Sequence, residues 1–360
     1  NFAAAQKYGR NEATGITFTY RVAEKFTTEI NIESLVSDGY DAGVLDKSEM
    51  GPMTMVVDGK EIQEELGGAV TASVEGAMLE RMDMAQMLVA MQEGSAIPES
   101  PEKAPILSPW GPTFGDYKVS NVKVSVPGVG DFTLEEWSTE DTQNVAGLPL
   151  GGKGKLKNLV IPGSAFADSE VKPVLDALGA EELRINISGA STFDKEDNVW
   201  DMSKFLIEVE KFGSLETGFR FGGMGFLNDL VGMPADEFAS SGMQQRILQE
   251  MTFARLQLTY RDQGAVEYLL NSMAEQGGVE RSRIAQQYVQ QFDTLRAPFG
   301  EAPALDELSA ALNTFLQEPE SLNLTFNPEE PISLAELTAV GMAAPAQLVE
   351  TLGFSAEANQ

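Results

Sequence analysis

Leu183 to Phe221 reads LRINISGASTFDKEDNVWDMSKFLIEVEKFGSLETGFRF, and this stretch decides the fold class. Leu183, Ile185 and Ile187 alternate with Arg184, Asn186 and Ser188, the period of a strand with one buried face. The polar cluster Asp194 to Asn198 then interrupts the alternation as a hairpin loop does. A second run sets Phe205, Ile207 and Val209 against Glu208 and Glu210. After a turn near Gly213-Ser214, Leu215, Thr217, Phe219 and Phe221 make a third. The stretch predicts an antiparallel meander of long strands across 182–222, with loops near 194–198 and 211–214. Apolar parity changes between Trp200-Met202 and Phe205-Val209, which predicts a β-bulge near Ser203-Lys204.

The same alternation runs toward the N-terminus. Residues 14–35 form a predicted hairpin, with Ile16, Phe18, Tyr20 and Val22 on one arm and Phe26, Thr28, Ile30 and Ile32 on the other. Met53, Met55 and Val57 predict a further strand before the turn pair Asp58-Gly59, and 69–75 another. Residues 78–92, MLERMDMAQMLVAMQ, fit a helix with Met84, Met87, Leu88 and Met91 on one face. Five of the 15 methionines fall in this segment. Methionine fills irregular core space, and it also lines adaptable surfaces for lipids or partner helices. The four residues of that face are therefore the candidate hydrophobic groove.

Pro98, Pro101, Pro105, Pro109 and Pro112 exclude regular helix or central strand from 98–115, which becomes a linker or an extended strap. It separates an N-terminal β-rich part, 1–97, from a β-meander and helical part, 116–360; the two parts are able to share one sheet. Beyond it, Tyr117 to Val126, Asp131 to Trp137 and Gly154 to Ile161 are predicted strands. The C-terminal third reads as helix-rich, with helices near 234–251, 263–276, 279–296 and 305–317. Helix-then-strand units recur at Leu183 to Ile187, Leu256 to Tyr260 and Leu322 to Phe326, either stacked repeats or a chance likeness of amphipathic strands. Ser333 and Glu336 form a capping box. Pro345 opens the last helix and Gly353 closes it. The expected class is α+β, with long antiparallel meander sheets and helices packed on one face.

Composition narrows the function. The net charge is −30, from 55 acidic and 25 basic residues. Such a chain repels phosphate backbones, which argues against nucleic-acid binding. There are no cysteines and no histidines. Disulfides, thiol catalysis and the usual imidazole base and metal ligand are thereby excluded. No run approaches the ~18 apolar residues of a membrane-spanning helix. The chain opens at Asn1, which fits a processed or trimmed protein.

Three local patterns invite chemistry. Gly147 to Lys153, GLPLGGK, matches the spacing of a phosphate loop, but Gly154 replaces the magnesium-binding hydroxyl and a strand follows instead of a helix. A turn is the better reading. Asp194, Glu196 and Asn198 offer calcium-type oxygens, yet Val199 occupies the position of the required glycine, so a solvated hairpin loop is favoured. The acceptor tripeptides at Asn186 and Asn323 fall within predicted strands. A hydrolase working with carboxylates alone stays open, although no acidic pair can be singled out and Trp110, Trp137 and Trp200 are scattered. No cofactor is expected.

The segments LQLTYRDQGAVEYLLNSMAEQGG (256–278), LSAALNTFLQEPESLNLTFNPEEPISL (308–334) and PAQLVETLGFSAEAN (345–359) resemble uncharacterised proteobacterial, particularly alphaproteobacterial, envelope proteins, and more distantly AsmA-like proteins. The resemblance implies an exported, periplasmic or otherwise extracytoplasmic protein associated with lipid homeostasis, and supplies no catalytic residues. AsmA-like proteins usually carry a membrane anchor, and none is visible here. The expected function is non-catalytic binding of a lipid-like ligand or an envelope protein partner. The alternatives are a structural component of a surface assembly and the carboxylate-only hydrolase.

Overall fold

The computed structural model describes residues 7–22, 25–85, 113–240, 242–297 and 302–360. Among the described residues strand accounts for 51% and helix for 31%, so antiparallel sheet is the scaffold to which helices are added. The chain divides into two compact units, Asn1–Ala167 with Leu227–Gly242, and Asp168–Phe226 with Met243–Gln360.

The first unit is an up-and-down meander. Its strands are β1 (Lys7–Val22), β2 (Phe26–Asp41), β3 (Val44–Met50), β4 (Met53–Asp58), β5 (Val70–Asp83), β6 (Tyr117–Val126), β7 (Gly130–Val145) and β8 (Leu148–Pro162). Both β3 and β4 lie between β2 and β5, as one strand interrupted at Gly51-Pro52. Proline cannot donate to a ladder, so the interruption falls where the sequence puts it. Apolar residues line up across the strands because side chains on one face recur every second residue. One row runs Ile16, Ile32, Met53, Val74, Val122, Leu134, Leu159. The next runs Phe18, Ile30, Met55, Ala72, Val124, Phe132.

Farther along β5 to β8 the apolar residues change parity together, at Val74/Ala77, Val122/Val119, Leu134/Trp137 and Leu159/Leu156. Asn121 (φ +49°) and Asn158 (φ +54°) sit on that line. Asparagine is among the few residues that visit left-handed backbone readily, and the Asn121 amide donates to the Glu75 carboxylate across the strands.

The methionine segment departs from the expected helix. Met78 to Asp83 continue β5, paired to β3 on one side and, through Leu79, to β6 on the other. Met78, Met82 and Met84 share even parity, so the spacing that suits a helix face also suits a strand. Two flanking strands then supply the hydrogen bonds that decide between them. The ladder breaks at Arg81 (φ +50°), where the Gly115 N–H donates to the Glu80 and Arg81 carbonyls. Residues 86–112, with the last seven residues of the predicted helix and all five prolines of the strap, lie outside the described residues.

The second unit carries the meander predicted for 182–222, as β9 (Glu182–Asp194), β10 (Val199–Val209) and β11 (Gly213–Gly222), continued by β12 (Thr252–Asp262), β13 (Ser321–Phe326) and β15 (Phe354–Ala358). The short β14 (Ile332–Ser333) also pairs with β12. The register of β10 shifts between Met202 and Phe205, the expected bulge. The second loop is 210–212 and not 211–214, because Gly213 at φ +144° already begins β11. Three apolar rows cross the sheet. They are Ile187, Ile207, Leu215, Tyr260, Leu322, Ala358; then Phe205, Thr217, Leu258, Leu324, Ala356; then Met202, Phe219, Leu256, Phe326, Phe354. All nine residues of the repeated triplets are partly buried. The second and third copies, β12 and β13, are neighbours, whereas β10 and β11 separate the first from them.

The helices of this unit are α2 (Val171–Ala177), α3 (Met243–Glu250), α4 (Ala265–Gly277), α5 (Arg281–Arg296), α6 (Pro303–Gln317), α7 (Leu334–Ala343) and α8 (Pro345–Thr351). The helix expected over 234–251 is two pieces, Ala235–Ser240 and α3. Ser333 caps α7 by accepting from the Glu336 N–H at 3.1 Å. Gly353 (φ +56°) ends α8 and turns the chain into β15, a strand the sequence reading did not anticipate. No helix among the described residues is long and apolar enough to cross a membrane.

Candidate functional site: an apolar groove between three helices

An apolar concavity lies within the second unit, between α4, α5 and α6. It encloses about 520 Å³ and is lined by Val266, Leu269, Leu270, Met273, Tyr288, Val289, Leu312 and Leu316. Its floor is a packed core of Leu270, Ala274 and Ile284, with Val266, Val279 and Leu316 against it. Its mouth is open, for Leu269 is 48% exposed, and Met273 and Tyr288 are each 41% exposed. Across the mouth the Tyr288 hydroxyl donates to the Met273 sulfur at 3.4 Å.

The sheet sets where each wall stands. Tyr260, on β12, packs its ring edge-on against Phe315 of α6, with centroids 5.9 Å apart. Its hydroxyl donates to Asp262 at 2.8 Å. The same carboxylate accepts from the N–H groups of Gly264 and Val266, each at 3.0 Å, and so satisfies orphan donors at the start of α4. Burial first, then the hydrogen bond and charge of Asp262, raise the Tyr260 pKa. The phenol therefore remains a protonated donor across the ordinary pH range. One aromatic residue thus fixes α4 through a carboxylate and α6 through a ring contact.

Polar clasps hold α5 to α6 at both ends. At the first, the Arg281 guanidinium donates to the Leu316 and Gln317 carbonyls at 3.4 and 2.9 Å, meeting the unpaired acceptors at the end of α6. At the other, Arg296 pairs with Asp293 and Asp306, and the Ser309 hydroxyl donates to Asp293 at 2.9 Å. The polar contacts are spent at the ends of the helix pair, and the lining between them carries no carboxylate, amine or guanidinium.

The predicted site residues fall elsewhere. Met84 is half-buried just beyond β5, its N–H donating to the Gly43 carbonyl at 2.9 Å; Met87, Leu88 and Met91 lie outside the described residues. In the hairpin loop, one Asp194 oxygen accepts from the N–H groups of Glu196 and Asp197 at 2.9 and 3.1 Å. That use shapes the turn, and Asn198 completes it at φ +53°. Among the described residues no group of three or more acidic, histidine or cysteine side chains is arranged to hold a metal ion. Gly147 to Lys153 are a turn and the start of β8. Ala146 (φ +52°) and Gly147 (φ +80°) make the two-residue hairpin turn, and Lys153 pairs with Asp141 at 3.2 Å. Asn186 and Asn323 lie in β9 and β13.

The groove residues fall within the helices predicted near 263–276, 279–296 and 305–317, and none of them is singled out as a site by the sequence. Val266, Leu269, Leu270 and Met273 recur at i, i+3, i+4 and i+7, the ordinary core-facing stripe of a helix, so nothing in their spacing marks them as a site. A family model described only as an uncharacterized protein matches residues 206–359, a span that includes all three groove helices. No curated protein matches the chain.

Proposed function

We propose that the protein is a non-catalytic binder whose groove between α4, α5 and α6 takes the apolar tail of a lipid-like ligand. The observation that carries the reading is the lining itself. Seven of the eight groove residues are aliphatic or methionine and the eighth is Tyr288, in a volume of about 520 Å³. That volume falls within the ~300–1,000 Å³ typical of small-molecule sites, which are mostly apolar with a few polar groups. Tyr288 and the adjoining Met273 supply a soft polar point at the mouth, suited to the junction between tail and head group. Without a carboxylate in the lining, binding is favoured over hydrolysis.

The helices as one layer over a single sheet face, a helix-rich C-terminal third, and a place in the bacterial envelope belong to the same proposal; the envelope rests on the resemblance of 256–359 to envelope proteins. A second reading is an amphipathic helix of an envelope protein partner lying along the mouth. Leu295, 68% exposed and seven residues from Tyr288 on α5, favours it, since helical anchors repeat at such spacing. Organic extraction and mass spectrometry of the purified protein test the first reading. An apolar species should be recovered from wild type and lost from a Leu269→Glu, Met273→Glu double variant of unchanged unfolding midpoint. Equal recovery from both proteins contradicts the groove.

A further inference from the structure

We propose that the outer edge of β1 pairs with the same edge of a second copy of this chain, antiparallel, about a two-fold axis at Phe18. Among the described residues no strand lies beyond β1. Phe18 and Tyr20 on it are 56% and 66% exposed. Edge strands are usually blunted by charge, proline or a covering element, because their unpaired amides and carbonyls template further pairing. Here Ala13 to Tyr20, ATGITFTY, carries no charge, in a chain where 22% of residues are charged. Alternating threonine with β-branched and aromatic residues, free of proline, is the composition that favours strand pairing.

The sheet also stops short at this edge. The rows that run through Ile32 and Met53, and through Ile30 and Met55, end at Ile16 and Phe18, and one more strand would extend them. A second β1 does so with matched chemistry. With Phe18 opposite its own copy, Ile16 faces Tyr20 and Thr17 faces Thr19. Aromatic and β-branched residues then meet on one face and threonines on the other, the cross-strand pairs that stabilise sheets. Arg21 falls opposite Gly15, so no like charges meet. Gly15, at φ +64°, interrupts the regular ladder and sets the limit of the pairing. Five residues a side bury less than the ~1,200 Å² of a stable complex, so the pairing is reversible. Each copy carries a charge of −30, so added salt should strengthen it by screening the repulsion.

The test uses sedimentation velocity over a concentration series at low and high salt, with single-cysteine variants, which the cysteine-free chain makes unambiguous. Wild type should show a salt-strengthened monomer–dimer equilibrium, weakened at least ~10-fold by Phe18→Lys and by the fold-conserving Phe18→Thr, about 1.4 kcal/mol or more. Under oxidation Phe18→Cys should cross-link readily. Thr14→Cys should not, since its two copies would stand about 26 Å apart along the strands. A monomer at every concentration overturns the proposal, as does a dimer indifferent to both Phe18 variants or cross-linking at position 14 as fast as at 18. A monomer whose Ile16–Tyr20 amides resist hydrogen exchange also overturns it, by showing that another segment covers the edge.

Discussion

The two units use the same kind of strand and stabilise it differently. In the second, helices hold the most buried residues; Leu175 and Ala285 are fully enclosed and Leu270 is 3% exposed. In the first, helix α1 (Lys60–Leu66) buries nothing, the short helix Leu227–Leu230 buries only Leu227 and Leu230, and the sheet is laced by cross-strand ion pairs. Glu136 on β7 takes Lys118 from β6 at 2.9 Å and Lys155 from β8 at 2.8 Å. Lys123 meets Asp131 at 2.6 Å, and Lys157 meets Glu135. Burial against a second layer contributes kilocalories per side chain, whereas exposed ion pairs contribute at most about 1 kcal/mol each. The difference teaches that strand patterning specifies a sheet without specifying how firmly it is held. The groove stands where helices were added.

The largest expected effect sharpens that contrast. Phe315→Ala removes a buried ring from between α6 and Tyr260 and should cost about 3–5 kcal/mol in chemical denaturation. Trp137→Ala, at a ring 48% exposed in the first unit, should cost well under half of that. Equal losses would break the comparison. Next comes Asp262→Ala, which unpairs the start of α4 and removes the Tyr260 acceptor. About 1–2 kcal/mol is expected, together with weaker ligand binding because one groove wall loosens. A stability loss with affinity intact would separate the cap from the groove. Ser333→Ala should cost ~1 kcal/mol through the lost cap on α7, read from the same denaturation midpoint.

The smallest effect is a pH dependence. Hydrogen bonds from Lys155, then Lys118 and Ser138, lower the Glu136 pKa from 4.5 to about 2. A depressed carboxylate contributes stability that is fully present above its unfolded value and lost as pH falls through the folded one. The window therefore lies between pH about 4.5 and about 2. Denaturation midpoints across it should fall less steeply for Glu136→Gln than for wild type. Parallel curves would show that the Lys118–Glu136–Lys155 ladder contributes nothing to acid stability.

Much of the sheet was legible because a half-buried strand writes its period into the sequence. The meander over 182–222, the bulge after Met202 and the Ser333 cap all followed from parity and capping chemistry. The continuation of β5 through Met78 to Asp83 did not, since Met78, Met82 and Met84 satisfy helical and strand periods alike and only pairing partners distinguish them. The parity line through Asn121 and Asn158 was hidden as well, because left-handed backbone at an asparagine is permitted but not required. β15 follows from a turn at Gly353 that read as an ending. The groove went unread because its residues are ordinary helix-face residues. What makes them a site is that Arg281, Arg296 and Tyr260 clasp three helices around a space they do not fill.

Equilibrium titration with a fluorescent long-chain fatty-acid probe tests the groove most directly. Wild type should bind one probe per chain, saturably, and Leu269→Glu should weaken binding at least ~10-fold, while Met84→Glu, outside the groove lining, leaves it unchanged. Absence of saturable binding, or equal affinity in wild type and Leu269→Glu, would contradict a ligand groove between α4, α5 and α6.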